Sequence, residues 1–300
     1  MGLEESTDLE DNDASQGAKI GKDEEITVYR AIMNLHPSFE DVITACASHK
    51  HTLHNLIQML ENQSRSARNS DVSSLNGVIC EFLKVDNDRI TYDMEESPMP
   101  AKTNLQGHGW NHPLFTVLLS PYCRFIRICD YPEELSELMT EAKNAVVDIS
   151  ESEWPTFLYA SDTIPDPDND HHGHFRGNLL PVLALQPLAT VKGRLNKAKI
   201  HKLTEVTGRT IAYICALVRI ALRGRGWGTE DSAFDYEAFY QNIVKMFEDD
   251  PEDCWVIETL DWNGGNPSIP AGFPVEWREF PLFLREFLLF PLFLWIPYIP

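Results

Sequence analysis

The sequence predicts an all-α, or at least α-dominated, fold: a single irregular helical domain with an acidic disordered N-terminus and an apolar C-terminal tail outside the domain. Three observations predict it. Apolar residues recur at three- and four-residue spacing through most of the middle of the chain. Helix starts and stops of the expected chemistry bracket several of those stretches. No run of alternating β-branched residues is long enough to require a sheet; a short strand near Arg124–Ile128 is the one exception expected.

The elements follow in order. Residues 1–25 carry nine acids against Lys19 and Lys22. So few apolar residues accompany them that burial cannot offset the entropy of ordering, and disorder is expected. The domain is placed at residues 26–265. Ser38 with Asp41 resembles a capping pair ahead of Phe39, Val42, Ile43 and Cys46, which share one helical face. The face resumes at Leu53, Leu56, Ile57 and Leu60, and a further stripe runs Leu75, Val78, Ile79, Phe82, Leu83. Pro98 and Pro100 mark a loop ending at Gly107-His108-Gly109-Trp110. Asp130 is expected to cap a helix with Pro132 at its start and Leu135, Leu138, Met139, Ala142 and Val146 on its buried face. Gly208–Arg223 is apolar on nearly every side and is therefore expected in the middle of the domain. Asp235 caps a helix carrying Phe239, Tyr240, Ile243, Val244 and Phe247. The last helix starts at Asp250-Pro251-Glu252-Asp253, runs through Trp262 and stops at Asn263-Gly264-Gly265.

Composition narrows the function. The formal net charge of −21 argues against a surface that binds nucleic acid all over. The six cysteines include no C-x-x-C pair, so buried thiols in a reducing, intracellular compartment (cytoplasm or nucleus) are expected. The acidic N-terminus has no secretory signal features. Met1-Gly2 through Ser6 fits a myristoylation pattern, but one acyl chain beside acidic flanks holds a membrane only marginally. In the tail, placed at 266–300, Arg278–Leu284 is nearly repeated as Arg285–Leu294. A spanning helix needs about 20 apolar residues. Only Phe287–Pro300 is free of charge, and Pro291 and Pro297 interrupt it, so membrane insertion is disfavoured. The tail reads as low-complexity sequence of the kind that translated non-coding DNA yields.

Three places could carry chemistry. Asp168, Asp170, His171, His172 and His174 place acids and imidazoles close together, the donor types for a divalent cation. An EF-hand loop starting at Asp166 fails, because its sixth and twelfth positions are His171 and Gly177. His108 and His112 have the i, i+4 spacing of two ligands on a helix. The flanking Gly107, Gly109 and Pro113 favour a loop leading into a helix, with Trp110 packed down and His112 bonded to backbone. Third, Lys192, Arg194, Lys197, Lys199, Lys202, Arg209, Arg219, Arg223 and Arg225 are opposed only by Glu205. This island of net +8 leaves −29 for the rest of the chain. It suits an acidic protein partner, nucleic-acid phosphates, or the chain's own acidic helices. No phosphate-binding loop, zinc-protease helix, nucleophile elbow or dinucleotide fingerprint occurs, so no cofactor is expected.

Five strings in this order carry a resemblance: Gly109-Trp-Asn-His-Pro113, Glu153-Trp-Pro-Thr-Phe-Leu-Tyr159, Phe175-Arg-Gly-Asn-Leu-Leu180, Thr204-Glu-Val-Thr-Gly-Arg-Thr-Ile-Ala-Tyr213 and Phe234-Asp-Tyr-Glu-Ala-Phe-Tyr240. Together they resemble an uncharacterised domain family of mushroom-forming fungi, over roughly residues 30–262. The resemblance implies one domain and carries no activity or site residues. The chain departs from the family after Leu179-Leu180, where Pro181 and Pro187 stand in place of a basic amphipathic helix and a serine-rich turn, and again from Phe273 onward. The leading expectation is a non-enzymatic intracellular interaction module that uses the basic surface 192–225. A nucleic-acid-associated accessory protein comes second, and a metal-dependent enzyme at the 166–174 loop with His108 or His112 third.

Overall fold

The computed structural model describes residues 30, 33, 38–76, 79–85, 97–101, 104–144, 149–160, 171–177, 179–180, 206–225 and 234–265. The acidic 1–25 segment, Asp168, Asp170, the Lys192–Lys202 stretch and the tail from residue 266 lie outside them. The described residues are all-α, with no strand among them. They divide into two compact units, with the boundary between Ser64 and Arg65.

In the first unit, α1 (Ser38–Ala47) leads through a tight Ser48-His49 turn into α2 (Lys50–Asn76), whose residues from Arg65 onward, Asp71 among them, belong to the second unit. Ser48 Oγ donates to the Ala45 carbonyl and the His49 amide to that of Cys46, which closes the end of α1. Ser38 is the first residue of α1 itself rather than a residue before it. Phe39, Ile43 and Cys46, then Leu53, Leu56 and Leu60, are half-buried along the expected stripe. Val42, Ile57 and Met59 remain exposed.

The second unit is built on α7, Gly208–Arg223. α3 is Ile79–Val85, α4 Pro113–Leu119, α5 Tyr122–Asp130, α6 Glu134–Lys143, α8 Tyr236–Glu248 and α9 Cys254–Gly265. Fourteen of the sixteen residues of α7 are buried, as its all-round apolar sequence requires. Thr207 caps it by accepting from the Thr210 amide, and Asp235 caps α8 by accepting from Glu237 and Ala238. α8 packs along α7, and α4 packs against it as well. The first residue of α7 meets the end of α8: a Cβ on Gly208 would collide with the Phe247 side chain.

Between these helices, short segments are held by backbone bonds without forming a sheet. Tyr122 donates to Trp154, Thr156 to Ser120, Gly177 to Leu158, and Ala160 to Gly173. The residues 154–160 are thus laced to the α4–α5 junction on one side and to the 171–177 turn on the other. Gly177 passes so close to the Phe157 carbonyl that no Cβ fits there.

Four expectations are corrected. Arg124–Ile128 is helix, not strand. Arg127 is exposed and Arg124 half-buried, while Ile128 packs with Val117 and Leu138, and Phe125 and Leu135 close over that cluster. Asp130 ends α5 instead of capping α6, whose N-terminal neighbour Glu133 makes no side-chain cap; Val146 lies outside the described residues. Asn263-Gly264-Gly265 form the last turn of α9, since Asn263 is held by its own helix through the Thr259 carbonyl. Only Cys80 and Cys215 are buried thiols; Cys46 is half-buried and Cys123, Cys129 and Cys254 are exposed, and none of the six is in a disulfide.

α7 stops at Gly224, which sits at φ +64° while the Arg225 amide bonds back to Ile220. A Cβ here would strike the Leu105 carbonyl and the His108 side chain. An L-residue at left-handed φ costs about 1–2 kcal/mol before any collision is counted. Gly224→Ala is therefore expected to lower the unfolding free energy by at least that much in urea titrations; unchanged stability would contradict this geometry.

Candidate functional site

The first histidine pair is folded inward. Two single 3₁₀ turns, Leu105–Gly107 and Gly109–Asn111, carry the chain down to α4 and bury His108 and His112 on either side. His108 Nδ1 lies 3.1 Å from the Ala221 carbonyl and so carries the proton of a neutral ring. That leaves Nε2 as an acceptor, and the Cys80 thiol donates to it at 3.5 Å. Burial pushes the His108 pKa down, opposed in part by the Ala221 carbonyl. His112 is the N-cap of α4: its Nδ1 accepts from the Leu114 amide at 3.2 Å. Burial lowers its pKa as well. Both rings lie against Phe115, His108 nearly parallel to it at 4.7 Å. A Cys–His pair that attacks a substrate needs an accessible sulfur. Cys80 is 3% exposed and His108 2%, so this pair ties α3 to the C-terminal end of α7. The expected role of His112 as a backbone-bonding residue is what the structure shows. Trp110, expected as an anchor, is half-buried under the Arg223 guanidinium at 5.0 Å.

The second cluster lies on the 171–177 turn. His171 and His172 are exposed, while His174 is fully buried. The His174 ring is stacked between Tyr159 at 4.8 Å and Phe175 at 4.1 Å, and Trp154 tilts against it at 5.0 Å. Tyr159 stacks in turn on Tyr122 at 3.8 Å. Phe175 holds φ +55°, uncommon for a bulky residue, and is itself fully buried against Phe247. The Trp255 indole donates to the His171 carbonyl and so fastens α9 to the turn. Burial first, and the neighbouring His171 second, push the His174 pKa down to about 3. Among the described residues no three His, Cys, Asp or Glu side chains are grouped as metal ligands.

The basic island is divided. Arg209 makes a two-pronged ion pair with Glu248, at 2.7 and 2.8 Å. Arg219 is buried, with its guanidinium 3.4 Å above the Phe234 ring. Arg223 covers Trp110, and Arg225 is exposed. The island's remaining basic residues lie outside the described residues.

Two contacts were out of reach of sequence reasoning. One is Cys80 as the partner of His108. The other is a buried bond from the Tyr213 hydroxyl to Asp71 at 2.8 Å, linking α7 to α2 across 142 residues. Burial, then the Asp71 carboxylate, push the Tyr213 phenol well above its ordinary pKa. No spacing signal connects partners so distant. The local hint was an acid in the polar Ser70-Asp71 stretch of an otherwise amphipathic helix.

Comparison with known proteins places the chain in a family. A family model described as a family of unknown function, DUF6698, matches residues 62–263, and the chain belongs to that family. No curated protein and no solved structure matches it.

The buried histidines make folding sensitive to acid. In the unfolded chain an imidazole takes up a proton below about pH 6.5. Folded His174 refuses it until about pH 3. The unfolded state therefore binds more protons in that window, so stability falls as pH drops from about 6.5 and this group has no effect above it. His108 and His112 act in the same direction. Unfolding free energies measured between pH 7 and 4 for the wild type and His174→Phe should differ in slope by about one proton, roughly 1.4 kcal/mol per pH unit. Parallel slopes would show that His174 charges in the folded protein.

Proposed function

We propose that this member of the family is a non-enzymatic intracellular interaction module whose segment Lys192, Arg194, Lys197, Lys199, Lys202 engages an acidic protein partner. The fungal setting implied by the resemblance belongs to the same reading. The observation that supports it most is the division of the basic island. On α7 the cations are turned to internal use: Arg209 to Glu248, Arg219 to Phe234, Arg223 to Trp110. The segment 192–202 concentrates five further cations with no acid among them, in a chain of net charge −21. Such local concentration of one sign steers association with the opposite sign. The buried histidines and Cys80 support the non-enzymatic side of the reading, because each serves the packing of the helices. Among the described residues no helix is long and apolar enough to cross a membrane.

The test uses the full chain and the triple reversal K197E/K199E/K202E, titrated with a labelled polyglutamate peptide and with duplex DNA and RNA at two salt concentrations. The reading predicts peptide binding that weakens at least tenfold in the reversal variant. Nucleic-acid binding that falls steeply with salt, without peptide binding, would replace it with a nucleic-acid role. Absence of binding to any of these probes at low salt would overturn both. A metal role for Asp168, Asp170, His171 and His172 is a lesser reading, from which burial between aromatic rings removes the fifth expected ligand, His174. It predicts that zinc raises the melting temperature and that a chelator reverses the rise.

A further inference from the structure

A buried polar group nearly always has a hydrogen-bond partner, because leaving it without one costs the full price of its desolvation. His174 breaks this rule twice. Its side chain is fully buried, and neither Nδ1 nor Nε2 bonds to another protein atom among the described residues. Stacking on Tyr159 and Phe175 covers the faces of the ring. Both nitrogens lie on its edge, where stacking does nothing for them.

The facing helix has the same deficit. On α9, Thr259 Oγ1 and Asn263 Oδ1 are buried and also lack a protein partner among the described residues. Trp255, Thr259 and Asn263 follow one another at four-residue spacing and share one face of α9. Trp255 contacts His171, His174 and Phe175 at one end of that face. At the other end Asn263 Nδ2 donates to the Phe175 carbonyl at 3.0 Å. Thr259 thus stands between two contacts with the same turn.

The chemistry of the orphaned atoms selects their ligand. The neutral imidazole offers one N–H and one lone pair, and the threonine hydroxyl offers both roles. Both amide hydrogens of Asn263 are spent, on Phe175 and on Thr259, so its Oδ1 can only accept. The two ring nitrogens point in divergent directions, so one small molecule meets one of them: donating to the acceptor nitrogen of His174 and to Asn263 Oδ1 while accepting from the Thr259 hydroxyl, it donates and accepts at once. That partner must be uncharged, since an ion among these aromatic rings would lack a counter-charge. We propose that His174, Thr259 and Asn263 form a buried binding site for a small neutral hydrogen-bonding molecule of about the size of water. Held there, it completes the joint between the 171–177 turn and α9. An internal water, which typically makes about three hydrogen bonds, and a small neutral solute share this chemistry.

The experiment measures oxygen-17 relaxation dispersion of water with the full chain and with Thr259→Val, together with ¹⁵N spectra of the His174 ring. Native mass spectra of the dialysed protein distinguish the two sources. A long-lived internal water in the wild type, lost in the valine variant, supports the site with water as its ligand. A retained light neutral adduct, lost in the same variant, supports it with a solute. Identical dispersion in both proteins, no adduct, and a His174 acceptor nitrogen at the shift of a non-hydrogen-bonded ring would overturn it. Should Thr259→Val fail to fold, the wild-type ¹⁵N shift decides: a hydrogen-bonded value supports the site and a free value overturns it.

Discussion

The burial of α7 on all sides is the constraint from which the second unit follows. A helix without a solvent face has to be covered everywhere, and each polar atom it carries has to be satisfied by the cover. α8 and α4 supply apolar contact. Tyr213 reaches Asp71 on α2, and Arg219 lies on Phe234 just ahead of α8. The close approach is possible because the two ends of α7 are glycines, Gly208 under Phe247 and Gly224 under Leu105 and His108. Hydrophobic burial holds such a helix in place without choosing its orientation; the polar partners and the glycine contacts make the choice.

Histidine is used here as a packing residue with a polar edge. His108 spends one nitrogen on the Ala221 carbonyl and the other on Cys80, and His112 spends one on the start of α4. His174 lies in a column of rings. In each case the imidazole fills a site that another aromatic ring could nearly fill, and its neutrality is imposed by burial. Of the histidines that look like ligands in the sequence, His108, His112 and His174 are committed to the interior, while His171 and His172, just ahead of His174 on the same turn, are exposed.

The electrostatics follow the same division. An acidic chain with one basic island can spend its cations on itself, and the arginines of α7 do so. Arg209 with Glu248 is a half-exposed pair of modest worth, about 0–1 kcal/mol. The buried guanidinium of Arg219 is held by aromatic contact, for which arginine's flat, weakly hydrated charge is better suited than lysine's. The lysines of the island, compact and strongly hydrated, all fall in the 192–202 stretch.

Local signals were legible wherever partners lie within a turn or two of each other. Asp235 as the cap of α8, His112 at the approach to α4 and the buried character of α7 all depend on residues a few positions apart, so spacing and side-chain type are enough to determine them. At Arg124–Ile128 five residues are too short a window for a period to fix the element; the contacts of Phe125 and Ile128 with Val117 and Leu138 decide for the helix. The candidate sites were less legible. Residue type drew attention to His108 and His174, but nothing in the sequence places Cys80 beside the first or rings on both faces of the second. Those environments depend on closing the 28-residue separation of Cys80 from His108, on bringing Tyr159 to His174, and on which apolar faces meet. The sequence by itself determined the helical class and which helix is central. Only the tertiary structure decided which polar groups are spent inside, because burial and pairing belong to surfaces brought together from distant parts of the chain.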